Sequence, residues 1–238
     1  MKTALITGGA KRLGKMISLS LAEEGYNIIL HYNSSEEEAI KTKEEIEKLN
    51  VFCFLIKKDL KNYSNGLIEE AINYSKEIEI LVNNASIFKE EKIEEITENN
   101  FFSSIKINSF IPLKLSLEFK EKIGKGNIIN IIDARHKQYD FTHFSYGLSK
   151  KLLFEITKHL AISFAPYIRV NGIAPGVFLP PEGKDEKYIE NILKLVPLKR
   201  KGEREEIKKA LKFLIENEYL TGQIIYLDGG RHLGKNLY

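Results

Sequence analysis

A tyrosine and a lysine four residues apart, Tyr146 and Lys150, are well placed to move a proton. On a helix this spacing puts both side chains on one face. An ammonium beside a phenol stabilises the phenolate and so eases proton transfer near neutral pH. The chain contains 11 tyrosines and is rich in lysine, so such a pair also arises by chance. Its meaning therefore depends on the features around it.

A glycine-rich stretch near the N-terminus could bind a phosphate. It runs Thr-Gly-Gly-Ala-Lys-Arg-Leu-Gly over residues 7–14, between an apolar run and a segment of helical period. Glycines at 8 and 14 allow a tight turn and the close approach of a pyrophosphate, which the free N–H groups and dipole of a helix start attract. Alone this is weak evidence, because a plain strand-to-helix turn can look the same. Its position after the first strand of a βαβ unit favours a dinucleotide site.

The end of the second apolar run indicates which dinucleotide is preferred. NAD sites usually place an acidic residue there to bind the ribose hydroxyls. Here residues 30–35 read Leu-His-Tyr-Asn-Ser-Ser, and the first carboxylate is Glu36. With Lys11 and Arg12 in the adjacent turn, a 2′-phosphate would meet cations and hydroxyls rather than a repelling charge. The sequence favours NADP over NAD, unless Lys11 is simply one more surface lysine.

Seven short apolar runs, mostly rich in Ile and Val, alternate with longer segments of helical period. They cover 4–6, 27–30, 51–56, 78–82, 127–132, 168–173 and 224–227. Such runs are typical of strands buried on both faces of a parallel sheet. The stripe after Glu203 predicts an amphipathic helix, and 35–49 predicts a solvent-facing one. We expect a single-domain α/β fold, a Rossmann-type doubly wound parallel sheet of about seven strands with helices on both faces.

The least regular stretch, 174–187, is rich in proline and glycine, with Pro175, Gly176, Pro180, Pro181 and Gly183. We expect a loop there, followed by a helix whose apolar positions are Ile189, Ile192, Leu193 and Val196. A loop and helix of this kind are typical of a lid over an active site. No repeat or linker interrupts the chain, so 1–238 is predicted to be one domain with a substrate lid around 176–200.

The composition excludes several classes of protein. Lys+Arg 36 against Asp+Glu 33 gives a net charge of +3, too small to imply nucleic acid as a partner. One cysteine leaves no intramolecular disulfide and no cysteine-based metal site, and we expect no metal. No apolar run approaches the ~18 residues of a membrane span, and the N-terminus reaches a glycine pair too soon for a signal peptide. A cytoplasmic protein with a small-molecule substrate is therefore expected.

The order of these features resembles the short-chain dehydrogenase/reductase family over the whole chain. The resemblance implies that Tyr146 donates a proton, that Lys150 stabilises the phenolate and binds the nicotinamide ribose, and that Asn108 supports a proton-relay water. It also implies the cofactor contacts, which are Gly8, Lys11, Arg12, Leu13, Gly14, His31, Tyr32, Asn33, Ser34, Ser35, Asp59, Leu60, Asn84, Ala85, Ser86, Tyr146, Lys150, Pro175 and Gly176.

Three positions depart from the family pattern. Arg12 stands where the middle glycine of the turn would be, and Ser86 replaces a glycine. Asp133, thirteen residues before Tyr146, stands where most of the family has serine. An ionised carboxylate there would repel a developing alkoxide and oppose ordinary carbonyl reduction. It could instead accept hydrogen bonds from a substrate rich in N–H groups, or pass a proton to a ring nitrogen; alternatively, it merely caps a strand end.

The departures resemble the pteridine reductase branch of the family. The turn with Arg12, the pair His31-Tyr32 and the aromatic Phe88 after Ser86 are shared with that branch, and residues 227–233 are similar to those of bacterial dihydromonapterin reductases. The resemblance implies that Arg12 reaches both phosphate and pterin and that Phe88 stacks on the pterin. The implied substrate site is Arg12, Ser86, Phe88, Asp133 and Tyr146. Three alternatives stay open: Phe88 could belong to the core, Arg12 could bind cofactor phosphate only, and Arg231 could be a subunit-contact residue.

The expected reaction is hydride transfer from NADPH to a C=N carbon of a dihydropterin, with Tyr146, assisted by Asp133, supplying a proton to nitrogen. One alternative is an NADPH-dependent carbonyl reductase of the 3-oxoacyl-[acyl-carrier-protein] type, which shares Asn108, Tyr146 and Lys150 but is disfavoured by Asp133 and Arg12. A non-catalytic NADP-binding sensor is a more distant alternative.

The family resemblance further implies a homotetramer formed through the segments 97–119 and 144–164. Several of their residues are more apolar than one helix stripe needs, namely Phe101, Phe102, Leu152, Phe154 and Ile156.

Overall fold

Seven parallel strands form one sheet in the order β3-β2-β1-β4-β5-β6-β7 in this computed structural model, which describes residues 2–137, 141–180, 183 and 186–234. The strands are β1 (Thr3–Thr7), β2 (Asn27–Tyr32), β3 (Cys53–Lys57), β4 (Ile78–Asn83), β5 (Gly126–Ile131), β6 (Ile168–Pro175) and β7 (Ile224–Leu227). The helices are α1 (Arg12–Glu23), α2 (Glu36–Glu47), α3 (Leu67–Tyr74), α4 (Glu98–Ile105), α5 (Ile111–Lys122), α6 (Phe144–Phe164), α7 (Glu186–Leu193) and α8 (Arg204–Glu216). The predicted doubly wound parallel sheet is confirmed.

The chain reverses its direction across the sheet between β1 and β4. From β1 it adds β2 and β3 on one side, then crosses back so that β4 pairs with the other edge of β1. In open α/β sheets a ligand binds outside the carboxyl ends of the strands at such a reversal. The glycine-rich turn after β1 lies at this point.

Side chains alternate between two cores, one on each face of the sheet. In β1, Ala4 and Ile6 pack on the side of α1, α2 and α8, whereas Leu5 packs on the side of α3, α5 and α6. Both faces are buried, which is why the strands appear as continuous apolar runs. The helix after Glu203 buries its predicted stripe, and α2 is largely solvated with Ile40 exposed, as expected.

Two predicted boundaries were wrong by a few residues. The third strand begins at Cys53 rather than Val51, because Phe52 is exposed before the strand pairs with β2. The irregular stretch begins after Pro175 rather than at Ala174, since both residues pair with β7 as the end of β6. The predicted helix after it is α7.

A π-helical turn at Lys106–Phe110 joins α4 to α5. Such turns are often found at functional sites. This one places Asn108 in the interior, fully buried.

No helix in the described ranges is long and apolar enough to cross a membrane. Among the same residues, no group of His, Cys, Asp or Glu side chains is placed to hold a metal ion.

Candidate active site

The glycine-rich turn closes against the end of β4. Gly8 has φ +63°, a backbone conformation that favours glycine. A Cβ on Gly14 would lie 2.0 Å from the carbonyl oxygen of Gly8, so α1 can begin this close to β1 only with glycine there. The Asn84 amide donates to the carbonyl oxygens of Thr7 and Gly8, both at 2.9 Å. The result is a fixed cradle at a helix start, where orphan N–H groups favour an anion.

The segment after β2 presents polar groups and a carboxylate that is paired with a lysine. Lys57 donates to Glu36 at 2.7 Å, and this bond lowers the pKa of the Glu36 carboxyl. The hydroxyl of Tyr32 also donates to Glu36, at 3.4 Å. The first carboxylate beyond β2 is therefore already paired with a lysine at the protein surface. The predicted cofactor contacts around it are exposed or half-buried, namely Lys11, Asn33, Ser34 and Ser35.

The loop after β3 uses the carboxylate of Asp59 to shape itself. Its two oxygens accept from the Lys61 backbone at 2.8 Å and from the Asn62 amide at 2.7 Å. Leu60 is buried in the core on the α3 side. The contact of Asp59 and Leu60 with a cofactor stays a prediction.

Tyr146 and Asp133 are joined directly. The Tyr146 hydroxyl donates to Asp133 Oδ2 at 2.9 Å. Asp133 Oδ1 accepts from the backbone N–H of Arg135 at 2.7 Å and from its Nε at 3.4 Å. Burial favours the neutral acid, but the Arg135 charge and these hydrogen bonds outweigh it, so the pKa of Asp133 is lowered. The structure therefore brings an ionised carboxylate to the proton-bearing atom of the tyrosine.

Lys150 lies one turn further along α6, beneath Tyr146. Its Nζ donates to the carbonyl oxygen of Ile131 at 2.8 Å and lies 5.8 Å from the centre of the Tyr146 ring. Burial lowers the pKa of Lys150 to about 8, and the Asp133 charge acts in the opposite direction. The predicted catalytic side chains Asp133, after β5, and Tyr146 and Lys150, on α6, are therefore together, with the ammonium near its point of titration.

Asn108 fixes the loop after β4 to α6. Its Oδ1 accepts from the Ser86 hydroxyl at 3.1 Å and the Ile87 N–H at 2.9 Å. Its Nδ2 donates to the Ile87 carbonyl and to the Ser149 hydroxyl, both at 3.0 Å. The side chain acts as a joint between two site-forming segments, and its predicted support of a relay water stays a prediction.

Phe88 lies at the mouth of the site rather than in the core, with 43% of its surface exposed. Its ring stacks on His143 with centroids 4.1 Å apart and planes 12° apart. Its edge meets the Tyr146 ring at 4.7 Å. The alternative of a core role is therefore wrong, and an apolar face stands beside the proton donor.

A cavity of about 120 Å³ separates Phe88 and Asp133 from α7. Its wall includes Arg135, Pro175, Gly176, Tyr188 and Arg231. The predicted lid helix thus lines the same cavity as the catalytic carboxylate. Its opening and closing stay a prediction.

Arg12 links the phosphate turn to the loop after β6. Its φ of +54° is unusual for a residue other than glycine and agrees with its place in the pattern, where a glycine is expected. The guanidinium donates to the carbonyl oxygen of Pro180. Arg12 therefore joins the phosphate turn to the segment between β6 and α7, and its contact with a pterin stays a prediction.

Three contributors to the site, His143, Glu91 and Arg135, were missed in the sequence. His143 supports Phe88 by stacking, and the buried Glu91 accepts the Ser145 N–H at the start of α6 at 3.3 Å. Neither carries a sequence signal, because both contacts depend on how the loop after β4 packs on α6. Arg135 could have been found as a cation two residues after Asp133.

Comparisons with known proteins agree with this geometry. A family model for short-chain dehydrogenases, described as "Enoyl-(Acyl carrier protein) reductase", matches residues 8–232. The chain belongs to the short-chain dehydrogenase/reductase family, and it is an oxidoreductase of that family.

The individual relatives include members of two groups of enzymes. The FolM alternative dihydrofolate reductase 1 of Brucella suis in complex with NADP superposes with a TM-score of 0.94 at 34% identity, covering 98% of this chain and 96% of that one. The Brucella canis protein of the same name, complexed with NADP, gives a TM-score of 0.91 at 34% identity, with 98% and 95% coverage. The 3-oxoacyl-[acyl-carrier-protein] reductase FabG of Staphylococcus epidermidis is 30% identical, over 98% of this chain and 99% of its own.

Proposed function

We propose that this protein is an NADPH-dependent reductase that transfers a hydride to a C=N bond of a dihydropterin, of the dihydromonapterin, dihydrobiopterin or dihydrofolate kind, to give the tetrahydro form. The observation that carries the proposal is the ionised Asp133 carboxylate bonded to the Tyr146 hydroxyl at 2.9 Å. A pterin ring carries several N–H groups, which a carboxylate can accept. The Brucella neighbours named as dihydrofolate reductases support the same substrate class.

The cofactor side fits NADP. The turn packs closely at Gly8 and Gly14 and leads into the start of α1, where free N–H groups favour a pyrophosphate. Lys11, in the turn after β1, is exposed, and Glu36, beyond β2, is already paired with Lys57, so neither place repels a 2′-phosphate. Both Brucella structures contain NADP. When bound, NADPH supplies the hydride and leaves as NADP⁺.

The residues of the chain then handle the proton. Asp133 accepts N–H groups of the ring and orients it, while the partly exposed Phe88 ring offers an aromatic surface for stacking. Tyr146 gives its proton to the ring nitrogen as the adjacent carbon receives the hydride, which makes one C–H and one N–H bond. The buried Lys150 ammonium stabilises the phenolate left behind. Solvent returns the proton to Tyr146 before the next turnover.

A 3-oxoacyl-[acyl-carrier-protein] reductase is the second candidate, and the Staphylococcus relative is the observation that favours it. Asn108, Tyr146 and Lys150 serve that reaction equally well. The developing alkoxide of a ketone would, however, form beside the ionised Asp133, which opposes it.

Comparing two substrates tests the proposal. NADPH oxidation is followed with dihydrobiopterin and, in parallel, with an acetoacetyl thioester. We expect turnover with the pterin and little with the thioester. Turnover of the thioester alone would support the second candidate, and NADPH binding without turnover of either would support a sensor.

We also propose a homotetramer. On the surface formed by α4, α5 and α6, Phe102, Leu117 and Leu152 are exposed apolar side chains, whereas Phe101, Phe154 and Ile156 are partly buried within the subunit. Burying such a surface between copies is favourable. Light scattering at micromolar concentration should give the tetramer mass, and a monomer mass would contradict it.

A further inference from the structure

His31 sits at the carboxyl end of β2 and fixes both glycine amides of the phosphate turn. Its ring Nδ1 accepts the N–H of Gly8 at 3.2 Å. Its backbone carbonyl oxygen accepts the N–H of Gly9 at 3.0 Å. The residue is 2% exposed. These two amides are therefore held by the protein, and the cofactor is left with the N–H groups at the start of α1.

The same ring reaches a second loop. His31 Nε2 lies 2.9 Å from the carbonyl oxygen of Lys58, the residue directly after β3. Because Nδ1 accepts from Gly8, the ring proton belongs on Nε2, which donates to Lys58. The N–H of Lys58 in turn donates to the carbonyl of Tyr32 at 2.9 Å. One imidazole thus joins the turn after β1 to the loop after β3, which continues into Asp59 and Leu60.

This arrangement requires a neutral imidazole. Burial lowers the pKa of His31 to about 4, with Glu70 and the hydrogen bond to Lys58 acting in the opposite direction. The Lys58 ammonium also disfavours a second cation nearby, although it is bonded to Gly66 O at 3.2 Å and to Glu70 at 3.1 Å. A protonated ring would set one N–H against the Gly8 N–H. At neutral pH, therefore, Nδ1 remains an acceptor.

We propose that His31 is a positioning residue for the dinucleotide, which holds the phosphate turn and the loop after β3 in their cofactor-binding arrangement without touching the cofactor itself. The ring is buried and both of its nitrogens are bonded within the protein, so His31 supports the cofactor indirectly. The sequence had predicted a direct contact between His31 and the cofactor. The inference rests on the proposed function only in requiring a dinucleotide at this turn, and not on the identity of the reduced substrate. Substitution of His31 should therefore weaken cofactor binding rather than slow the chemical step.

Three substitutions separate the two bonds of the ring. His31→Phe keeps a ring but removes both nitrogens. His31→Asn keeps an oxygen acceptor near the place of Nδ1, and His31→Gln keeps a donor near the place of Nε2. Thr157→Val is the matched control, because Thr157 is a fully buried hydrogen-bonding residue on α6, bonded to Leu153 and to Asn130 of β5, which lies three strands away from β2 in the sheet.

The measurements are the Kd of NADPH by titration and kcat at saturating NADPH. We expect His31→Phe to raise the Kd by about tenfold or more while kcat stays within about twofold. His31→Asn should recover more affinity than His31→Gln, because the Gly8 bond is the one at the phosphate turn. Thr157→Val should leave the Kd unchanged.

The inference is wrong if the NADPH Kd of His31→Phe stays within about twofold of that of the parent protein. It is also wrong if Thr157→Val raises the NADPH Kd as much as His31→Phe does, or if His31→Phe lowers kcat by a larger factor than it lowers NADPH affinity. If His31→Phe does not fold, the Asn and Gln variants decide, and equal affinity in both contradicts a role of the Gly8 bond. In the unaltered protein, nitrogen NMR should show the proton on Nε2, and a proton on Nδ1 would refute the network. If NADPH binds but no dihydropterin is reduced, the proposed function fails while this inference stands.

Discussion

The turn before α1 and the turn after β5 both lie at the carboxyl end of the sheet, yet they are fixed in different ways. In the first, the backbone itself is fixed: Gly8 and Gly9 donate to His31, and Gly14 leaves no space for a Cβ. In the second, side chains form the site, with Asp133 held by Arg135 and Tyr146. The backbone of the first turn is packed against β2 and the loop after β4, although Lys11 is exposed, whereas the second turn opens onto a cavity.

The turn before α1 serves cofactor binding, which the whole family shares, whereas the turn after β5 carries the side chains that can differ between members. Any dinucleotide enzyme of this fold needs the close backbone approach that glycine permits, so the phosphate turn can tolerate little change. A side chain on the turn after β5 can be exchanged without disturbing the sheet, and a serine-to-aspartate change there alters the charge beside the proton donor. We therefore expect mutations in the two regions to affect different measured constants.

The largest expected effect is the loss of the proton donor. Tyr146→Phe should lower turnover on the dihydropterin by about 10²–10⁴-fold, because a positioned general acid typically contributes that much. The Kd of NADPH should change little, which would place the effect in the substrate region alone. The control Tyr26→Phe removes a buried hydroxyl before β2 and should retain activity. Steady-state kinetics and a binding titration decide, and turnover near that of the parent protein would contradict the role of Tyr146.

A smaller effect is expected in the cofactor region. NADPH should be preferred to NADH by at least about tenfold, or ~1.4 kcal/mol. The reason is the polar, cationic segment around Lys11, Ser34 and Ser35, with Glu36 paired to Lys57. Titration with each cofactor checks it, and Lys11→Gln should narrow the difference. Equal affinities in the unaltered protein would mean that this segment does not bind a 2′-phosphate.

The smallest expected effect is a shift in the pH dependence of turnover, and it depends on Lys150. Burial lowers the pKa of Lys150 to about 8, so its ammonium is lost, and turnover should fall, as pH rises through that value. The negative Asp133 raises the pKa of Lys150. In Asp133→Asn that charge is gone, so the residual activity should fall at lower pH than in the parent protein. If turnover of Asp133→Asn falls at the same pH as in the parent protein, or at a higher pH, then the charge of Asp133 does not raise the pKa of Lys150.

The difference between these two turns also explains how much of the structure could be predicted from the sequence. Strands such as β1 and β2 were predictable because burial on both faces leaves an uninterrupted apolar run, and the phosphate turn was predictable because Gly8 and Gly14 meet a steric demand that only glycine satisfies. The Tyr146, Lys150 and Asp133 set followed from spacing and family order.

The rest depends on packing between distant segments, which no local pattern encodes. The stacking of Phe88 on His143, the bond from Glu91 to α6 and the bridging role of His31 each join residues from different loops or strands. The π turn that buries Asn108 likewise has no signal in the residues 106–110 themselves. Strand and loop boundaries at Cys53 and Pro175 shifted because pairing with neighbouring strands decides where a strand ends.

Asp133→Ser, assayed on a dihydropterin and on a ketone, tests the central claim most directly. Turnover on the pterin should fall by about 10²–10⁴-fold, because the carboxylate that orients the ring and contacts the Tyr146 hydroxyl is lost. Weak activity on the ketone should rise, since a neutral donor replaces a repelling charge, and the Kd of NADPH should stay within about twofold. If turnover on the pterin stays within about twofold of the parent protein, Asp133 is only a cap for the 3₁₀ turn that begins at Ala134, and the assignment of a pterin substrate is wrong.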